Sequence, residues 1–145
     1  MASYFSLNVA ADLQNLAEIR DFVEKTAVML DVAPSIIPNL QLAVDEAVTN
    51  IILHGYRGQA GQVEILVERK VDDLVISLRD HAPPFDPTRV AAPDLTLPVA
   101  ERVPGGMGLH LIRQTMDQMS YRSTEAGGNE LTLVKQGVGK LPSQP

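Results

Sequence analysis

The chain has 145 residues, of which 45% are hydrophobic and 21% charged, a composition typical of one soluble globular domain with a sizeable core. Its formal net charge of −6 disfavours nucleic acid and anionic membranes as partners, because both require a basic protein face. The absence of Cys excludes disulfides, thiolate metal sites and cysteine nucleophiles.

The N-terminal part of the chain predicts a strand followed by a helix. It has neither the basic nor the apolar region of a signal peptide, and no apolar run reaches the length of a membrane span. We therefore expect a cytoplasmic protein without a membrane segment. Alternation from Tyr4 to Val9 predicts the strand. Asp12 is a candidate N-cap for a helix that runs to about Leu30.

Residues 39–56 predict a helix with polar side chains in an unusual place. Glu46, Asn50 and His54 follow one another in steps of four, so they share one face of the helix. The apolar stripe lies roughly 100° round from them and consists of Leu40, Val44, Val48 and Ile51. Polar groups beside the buried face, instead of opposite it, indicate a helix that lines a cavity. We expect it to end near His54, with Gly55 as its stop.

Two alternating segments then predict strands over 63–68 and 74–80, joined at Asp72-Asp73. In the second, the period of two places Asp80 on the same face as Leu78, towards the buried layer. A carboxylate there is costly unless a donor reaches it. Asp80 could cap a turn, or it could accept a hydrogen bond from an exocyclic amine such as adenine N6. Taken alone, the turn is the more common explanation.

The proline-rich residues 81–104 show no periodicity and predict a lid or binding loop. Gly105, Gly106 and Gly108 close this loop, and a helix follows at once. Backbone N–H groups at such a helix start can hold phosphate, although this is not a P-loop because Gly-Lys-Ser/Thr is missing. A flexible loop end is the other interpretation of the glycines.

The last part of the chain predicts a hairpin with strands over 119–124 and 131–135, followed by a tail. The order β-α-α-β-β-loop-α-β-β contains no repeated βαβ unit. We therefore predict an α+β fold, a two-layer sandwich with a mixed, mainly antiparallel sheet and helices packed on one face. Residues 1–136 are predicted to form one domain, and residues 137–145 a flexible C-terminal tail.

The order and spacing of these motifs resemble the GHKL (histidine-kinase-like) ATPase superfamily over roughly residues 39–135. The motifs are Glu-x-x-x-Asn-x-x-x-His on a helix, a strand ending in Asp-x-Ala-x-Pro-Phe-Asp, and Gly-Gly-x-Gly-Leu opening a helix. The chain looks most like the anti-sigma factor serine-protein kinases, whose motif Asp-Glu-x-x-x-Asn-x-x-x-His-Gly-Tyr occurs at residues 45–56. The resemblance implies a Bergerat-type ATP-binding fold.

The resemblance also implies a role for each matching residue. Glu46 would be the general base that activates a substrate serine, Asn50 would hold Mg²⁺ on ATP, and Asp80 would contact the adenine amine. Further nucleotide contacts are implied for Ala82, Phe85, Gly105, Gly106, Met107, Gly108, Leu109 and Thr132, with His54 as a secondary candidate. The superfamily usually has Gly where this chain has Ala82. Because Ala does not adopt a positive φ cheaply, we expect the local turn to differ.

The length of the chain favours a stand-alone kinase domain. Too few residues precede the central helix for a phospho-accepting hairpin, and only a tail follows Lys135. We therefore expect an ATP- and Mg²⁺-dependent kinase that phosphorylates a STAS-type anti-sigma antagonist and, in one state, sequesters a sigma factor. The alternatives are a nucleotide-binding partner switch with little or no transfer, and a domain that binds no nucleotide. The N-terminal strand offers an edge for a homodimer.

Overall fold

The computed structural model describes residues 4–87, 106–125 and 127–139. The strands in these residues are β1 (Tyr4–Ala10), β2 (Gln62–Lys70), β3 (Asp73–Asp80), β4 (Gln118–Ser123) and β5 (Asn129–Lys135). The α-helices are α1 (Leu16–Met29), α2 (Ile37–Asn50) and α3 (Gly106–Thr115). Short 3₁₀ turns precede α1 and α2, and a π-helical turn, Ile51–Tyr56, extends α2.

The strands form one sheet in the order β1-β2-β3-β5-β4, and each neighbouring pair is antiparallel. The predicted α+β class is confirmed. Within the described residues the sheet is wholly antiparallel and not mixed. The pairing of β3 with β5 places Asp80 directly opposite Asn129. Since paired residues in an antiparallel ladder share a face, these two side chains point to the same side of the sheet.

The helices cover one face of the sheet, and α2 packs between α1 and α3. Alternate residues of β2 and β3 are fully buried on this face, among them Ile65 and Ile76. From the helical layer, Leu40 and Val44 of α2 meet them with at most 1% of their surface exposed. The predicted apolar stripe of the central helix is therefore the middle of the core.

The central helix also has the length of a membrane span. Pro34–Tyr56 contains an 18-residue window with a mean hydropathy of 1.2, which passes a test by length and composition alone. The core helix of a soluble protein passes the same test when it is buried on the sheet. Here the apolar face of α2 packs on β-strand side chains, which accounts for its composition without a membrane.

Two predicted helix ends need correction. Asp12 does act as a cap, accepting a hydrogen bond from the backbone N of Gln14 at 2.8 Å, but it caps a 3₁₀ turn, and α1 begins at Leu16. The central helix does not stop at Gly55 either. It continues as a π turn, and the left-handed residue that ends it is Arg57, with φ 54°.

The folded chain extends past the predicted domain end at residue 136. Val138 is fully buried, its N–H donates to Asp72 O at 3.0 Å, and its carbonyl accepts from Ala33 N at 2.7 Å. Gly139 forms a β-bridge with Val32. Residues 137–139 are thus part of the domain, because Val138 contributes an apolar side chain to the core. Residues 140–145 of the predicted tail lie outside the described residues.

Candidate functional site

A small cavity lies between the C-terminal part of α2, its π turn and the adjoining ends of β3, β4 and β5. It encloses about 30 Å³, room for about two water molecules. Its walls are formed by Ala47, Asn50, Ile51, Gly55, Asp80, Phe85, Pro87, Tyr121, Asn129 and Leu131. Three residues predicted for the site, Asn50, Asp80 and Phe85, therefore meet here. A purine is larger than this space, so the cavity must widen before such a ligand can enter.

Asn50 is the last residue of α2 and contributes an amide to the cavity. Only 8% of its surface is exposed, and its Nδ2 is buried without a hydrogen-bond partner among the described residues. A buried amide N–H that lacks an acceptor costs free energy. The amide is therefore suited to a polar ligand that fills the cavity.

Asp80 ends β3 on the buried face, as its alternation with Leu78 predicts. Its Oδ1 accepts hydrogen bonds from Ala82 N at 2.9 Å and from Asn129 Nδ2 at 2.8 Å. Burial raises the pKa of Asp80, and the donors from Asn129 and Ala82 work against that rise. In the part of the chain that the structure describes, no hydrogen bond reaches Oδ2, which leaves one acceptor atom for a ligand.

The turn after Asp80 differs from a glycine turn, as expected from Ala82. Ala82 does not adopt a positive φ, and it is 99% buried, with its side chain packed towards Gly55. It therefore supports the wall of the cavity from behind and is not one of its lining residues. The next contact fixes the turn: His81 N donates to Tyr56 Oη at 2.8 Å, and Tyr56 donates to Gln62 O at 2.7 Å.

Glu46 lies one helical turn before Asn50 but does not line the cavity. Burial raises the pKa of its carboxyl, and the charge of Asp45 raises it further. Asp45 itself pairs with Arg20 at 3.2 Å on the surface between α1 and α2. Glu46 is therefore a partly buried carboxylate of increased basicity at the N-terminal side of Asn50.

His54 does not line the small cavity with Asn50. It lies in the π turn that follows α2. Its side chain lines a separate cavity of about 550 Å³ together with Arg57 and His81. Of the three residues in the predicted stripe, only Asn50 lines the small cavity in the part of the chain that the structure describes.

Thr132 is also away from the cavity. It follows Leu131 on β5, and neighbouring strand residues point to opposite faces of the sheet. Leu131 lines the cavity, so Thr132 faces the other side, where it pairs with Ser77 and Ser120. This placement does not favour the expected hydroxyl contact from Thr132, which stays a prediction.

The glycine-rich segment is described only in part. Gly105 lies outside the described residues, and α3 begins at Gly106. Gly108 and its neighbours Met107 and Leu109 lie in the first turn of this helix, so a helix start does occur where the glycines predict one. Their contacts with a nucleotide stay predictions.

Comparison with protein families decides the relationship. The sequence model described as "Histidine kinase-like ATPase domain" matches residues 9–135, which is most of the chain. The chain belongs to the histidine kinase-like ATPase family. This confirms the resemblance inferred from the motifs, and a member of an ATPase family uses ATP. Asn50, Asp80 and the start of α3 all lie inside the matched region.

Individual relatives of this histidine kinase-like ATPase domain carry the names of regulators. It is 32% identical to the serine/threonine-protein kinase BtrW of Bordetella bronchiseptica over 65% of its own length and 66% of that protein. It is 29% identical to an anti-sigma F factor of Thermoanaerobacter sp., covering 89% of this chain and 90% of the other. The serine-protein kinase RsbW of Bacillus cereus is 28% identical over 82% and 77% of the two chains.

A solved structure supports the fold of this ATPase domain. The RsbU and RsbW domains of Rv1364c from Mycobacterium tuberculosis superpose with a TM-score of 0.62 over 92% of this chain. This chain spans 32% of the mycobacterial one, and the identity is 15%, so the likeness concerns the fold alone.

The sequence motifs of the ATPase domain do not include two polar residues that line the cavity, Asn129 and Tyr121. The predicted strand over 131–135 leaves Asn129 in the hairpin turn, whereas the structure makes it the first residue of β5. The sequence does contain a pattern that indicates this position. Asn129 alternates in step with Leu131 and Leu133, so it belongs to the buried face of the strand. The same alternation places Asp80 on the buried face of β3.

Proposed function

We propose that this chain is an ATP-dependent protein serine kinase that acts as an anti-sigma regulatory factor. Family membership and relatives named as serine kinases and anti-sigma factors support this proposal. One structural observation carries it. Asn50 and Asp80, 30 residues apart in sequence, line the same cavity, each with a polar atom that no described residue satisfies.

In the proposed complex, Asp80 accepts a hydrogen bond from the adenine amine through Oδ2. Phe85, which is 38% exposed at the cavity mouth, covers the base, while Ala82 supports the opposite wall by packing on Gly55. The phosphates extend towards the start of α3, where Gly106 and Gly108 provide backbone N–H groups. Thr132 and His54 have no place in this arrangement.

Magnesium fits the site as an ion carried mainly by the nucleotide. The described residues contain no group of three or more His, Cys, Asp or Glu side chains that could hold a metal. Mg²⁺ prefers oxygen ligands and keeps several waters, so one amide oxygen from Asn50 suffices on the protein side. No hydrogen bond to a described residue holds the Nδ2 of Asn50 and so fixes the orientation of its amide. Bound Mg²⁺ would neutralise charge on the phosphates during transfer.

Glu46 is proposed as the general base that takes the proton from the substrate serine. Its raised pKa increases its affinity for that proton while still leaving a carboxylate to accept it near neutral pH. The attack on the γ-phosphoryl group requires the serine to be positioned in line with the leaving oxygen. That serine is supplied by another protein.

The proposed partners are a STAS-type anti-sigma antagonist as substrate and a sigma factor held in one state of the cycle. The negative net charge supports proteins, not nucleic acid or membrane, as partners. The strand β1 lies at the edge of the sheet and Tyr4 is 59% exposed, which supports pairing of two copies along this edge. We propose a cytoplasmic location.

Incubation with Mg-ATP and candidate STAS antagonists tests the function. The wild-type protein should produce phosphoserine on one antagonist, and Glu46→Gln should not. Glu24→Gln, an exposed change on α1, serves as the matched control and should transfer normally. Phosphoryl transfer by the Glu46→Gln variant would refute the role of Glu46 as the general base. Nucleotide binding without phosphoserine on any antagonist would favour a partner switch without transfer.

A further inference from the structure

Asn129 and Asp80 form a buried cross-strand pair at the end of the sheet. They are direct partners in the ladder of β3 and β5, and each has 6% of its surface exposed. Both side chains line the small cavity. Asn129 belongs to none of the sequence motifs, yet it is the side chain that contacts Asp80 most directly.

The Asn129 amide has a defined orientation because both of its ends are engaged. Its Nδ2 donates to Asp80 Oδ1 at 2.8 Å and to Ala82 O at 3.0 Å. Its Oδ1 accepts from Phe85 N at 3.3 Å and from the hydroxyl of Tyr121. If the amide were turned over, its oxygen would face a carboxylate and a carbonyl, which repel it.

These contacts leave Asp80 with a single open acceptor atom. Its Oδ1 receives donors from both Asn129 and the Ala82 backbone, so its two lone pairs are in use. Its Oδ2 receives no hydrogen bond from any residue that the structure describes. Asn129 thus determines which oxygen of Asp80 a ligand can reach.

We propose that Asn129 makes this cavity selective for adenine over guanine by holding Asp80 so that only one oxygen is presented to the base. The inference rests on the proposed role of Asp80 as the residue that contacts adenine. The adenine amine is one donor, and one oxygen satisfies it. Guanine instead presents O6, an acceptor, in the place of that amine. Its adjacent N1–H and 2-amine suit a carboxylate that offers two oxygens side by side. Because Oδ1 is occupied, Asp80 cannot bind both donors.

Asn129 is a positioning residue in this proposal, since it acts through Asp80. The test is isothermal calorimetry with ADP and GDP on the full chain, in the presence of Mg²⁺. The wild type should prefer ADP, and Asn129→Ala should lower the ratio of ADP to GDP affinity by about tenfold, because Oδ1 becomes available to guanine. Asn8→Ala, the same change on the other face of the sheet, should keep the ratio. If Asn129→Ala keeps the wild-type ratio of ADP to GDP affinity, the inference is overturned.

Asn129→Asp provides a second readout that does not depend on removing the side chain. Two carboxylates at this distance share a proton, and that proton can bridge to Asp80 Oδ1 in place of the amide N–H. ADP affinity of this variant, relative to wild type, should be reduced at pH 8 and recover towards pH 5. If the ADP affinity of Asn129→Asp relative to wild type does not change with pH, the inference is overturned. This test remains available if Asn129→Ala does not fold.

An Asp80→Ala variant separates this inference from the proposed function. If the wild type binds no ADP, or Asp80→Ala binds it as well as the wild type does, the adenine site itself is wrong and the inference fails with it. If Asp80→Ala loses ADP while Asn129→Ala and Asn129→Asp behave as wild type, the adenine site stands. Only the role of Asn129 is then refuted.

Discussion

The backbone of Gly128 touches the backbone of Asp80 so closely that a Cβ on Gly128 would lie 2.1 Å from the carbonyl oxygen of Asp80. This contact occurs at the rung beside the pairing of Asp80 with Asn129. Backbone atoms cannot rotate away as a side chain can, so the hairpin between β4 and β5 depends on glycine here. The contact holds the turn against the strand end that carries the cavity carboxylate.

Gly128→Ala should therefore destabilise the protein and weaken nucleotide binding together. The added methyl group forces β5 away from β3, at a cost of about 1–3 kcal/mol in the free energy of unfolding. Urea denaturation and ADP calorimetry measure the two effects. Glu125→Ala is the matched control in the same hairpin, because Glu125 is exposed and the change adds no atom near Asp80. A stable Gly128→Ala variant with normal binding would contradict the close contact.

Asp45→Asn should extend kinase activity to lower pH. The base Glu46 acts as a carboxylate, so the rate falls as the pH drops through its pKa, which lies above the ordinary value of 4.5. The charge of Asp45 contributes to that rise, and its removal lowers the pKa. The acid limb of kcat/KM against pH should move to lower pH. Asp21→Asn, an exposed change on α1, should leave the profile in place.

Glu130→Gln should reduce the stability of the protein at neutral pH. As the pH falls, the variant should lose less stability than the wild type does. Burial favours the protonated form of Glu130, but hydrogen bonds from Arg79 at 2.6 Å and Arg122 at 2.7 Å outweigh it and hold the pKa below 4.5. The contribution of Glu130 to the free energy of unfolding is thus fully present above pH 4.5 and is lost as the pH falls through the pKa of Glu130 in the folded state.

At pH 7 the variant should lose about 1–2 kcal/mol of unfolding free energy, since the partners are partly exposed. Denaturation between pH 7 and 3 should show the wild type and the variant converging in acid. Glu64→Gln is the control on the same face, because Glu64 lies farther from Arg79, at 3.6 Å. Curves that stay parallel down to pH 3 would argue against the ion-pair network.

Phe85→Trp should report nucleotide binding by fluorescence. The chain contains no Trp, so the new indole is the sole tryptophan signal. Because the cavity encloses only about 30 Å³ and Phe85 lines it, a bound base should change the surroundings of the side chain at position 85. Mg-ADP should change the emission of this variant in a saturable way, and Tyr4→Trp on the distant edge strand should stay silent. An unchanged Phe85→Trp spectrum alongside calorimetric binding would show that the segment does not move.

Local patterns predicted most of the elements and two of the cavity residues. The period of two in β3 placed Asp80 on the buried face, and the helical period of α2 placed Asn50 beside the core stripe. The same period, extended into Ile51–Tyr56, predicted that His54 shares a face with Asn50, whereas His54 lines a different cavity. A π turn depends on how the chain packs beyond the helix, and no spacing of residues in the sequence marks it.

The sequence by itself determined the α+β class and the face on which Asp80 and Asn50 lie, because these follow from the order of the elements and the periodicities within them. The family was indicated by the resemblance of its motifs. Only the tertiary structure decided that Asn129 holds Asp80, that Thr132 faces away and that Val138 closes the core. These results depend on strand register and on contacts between distant segments. A shift of one residue in register exchanges the two faces of a strand, and only packing of the whole sheet selects among the possible registers.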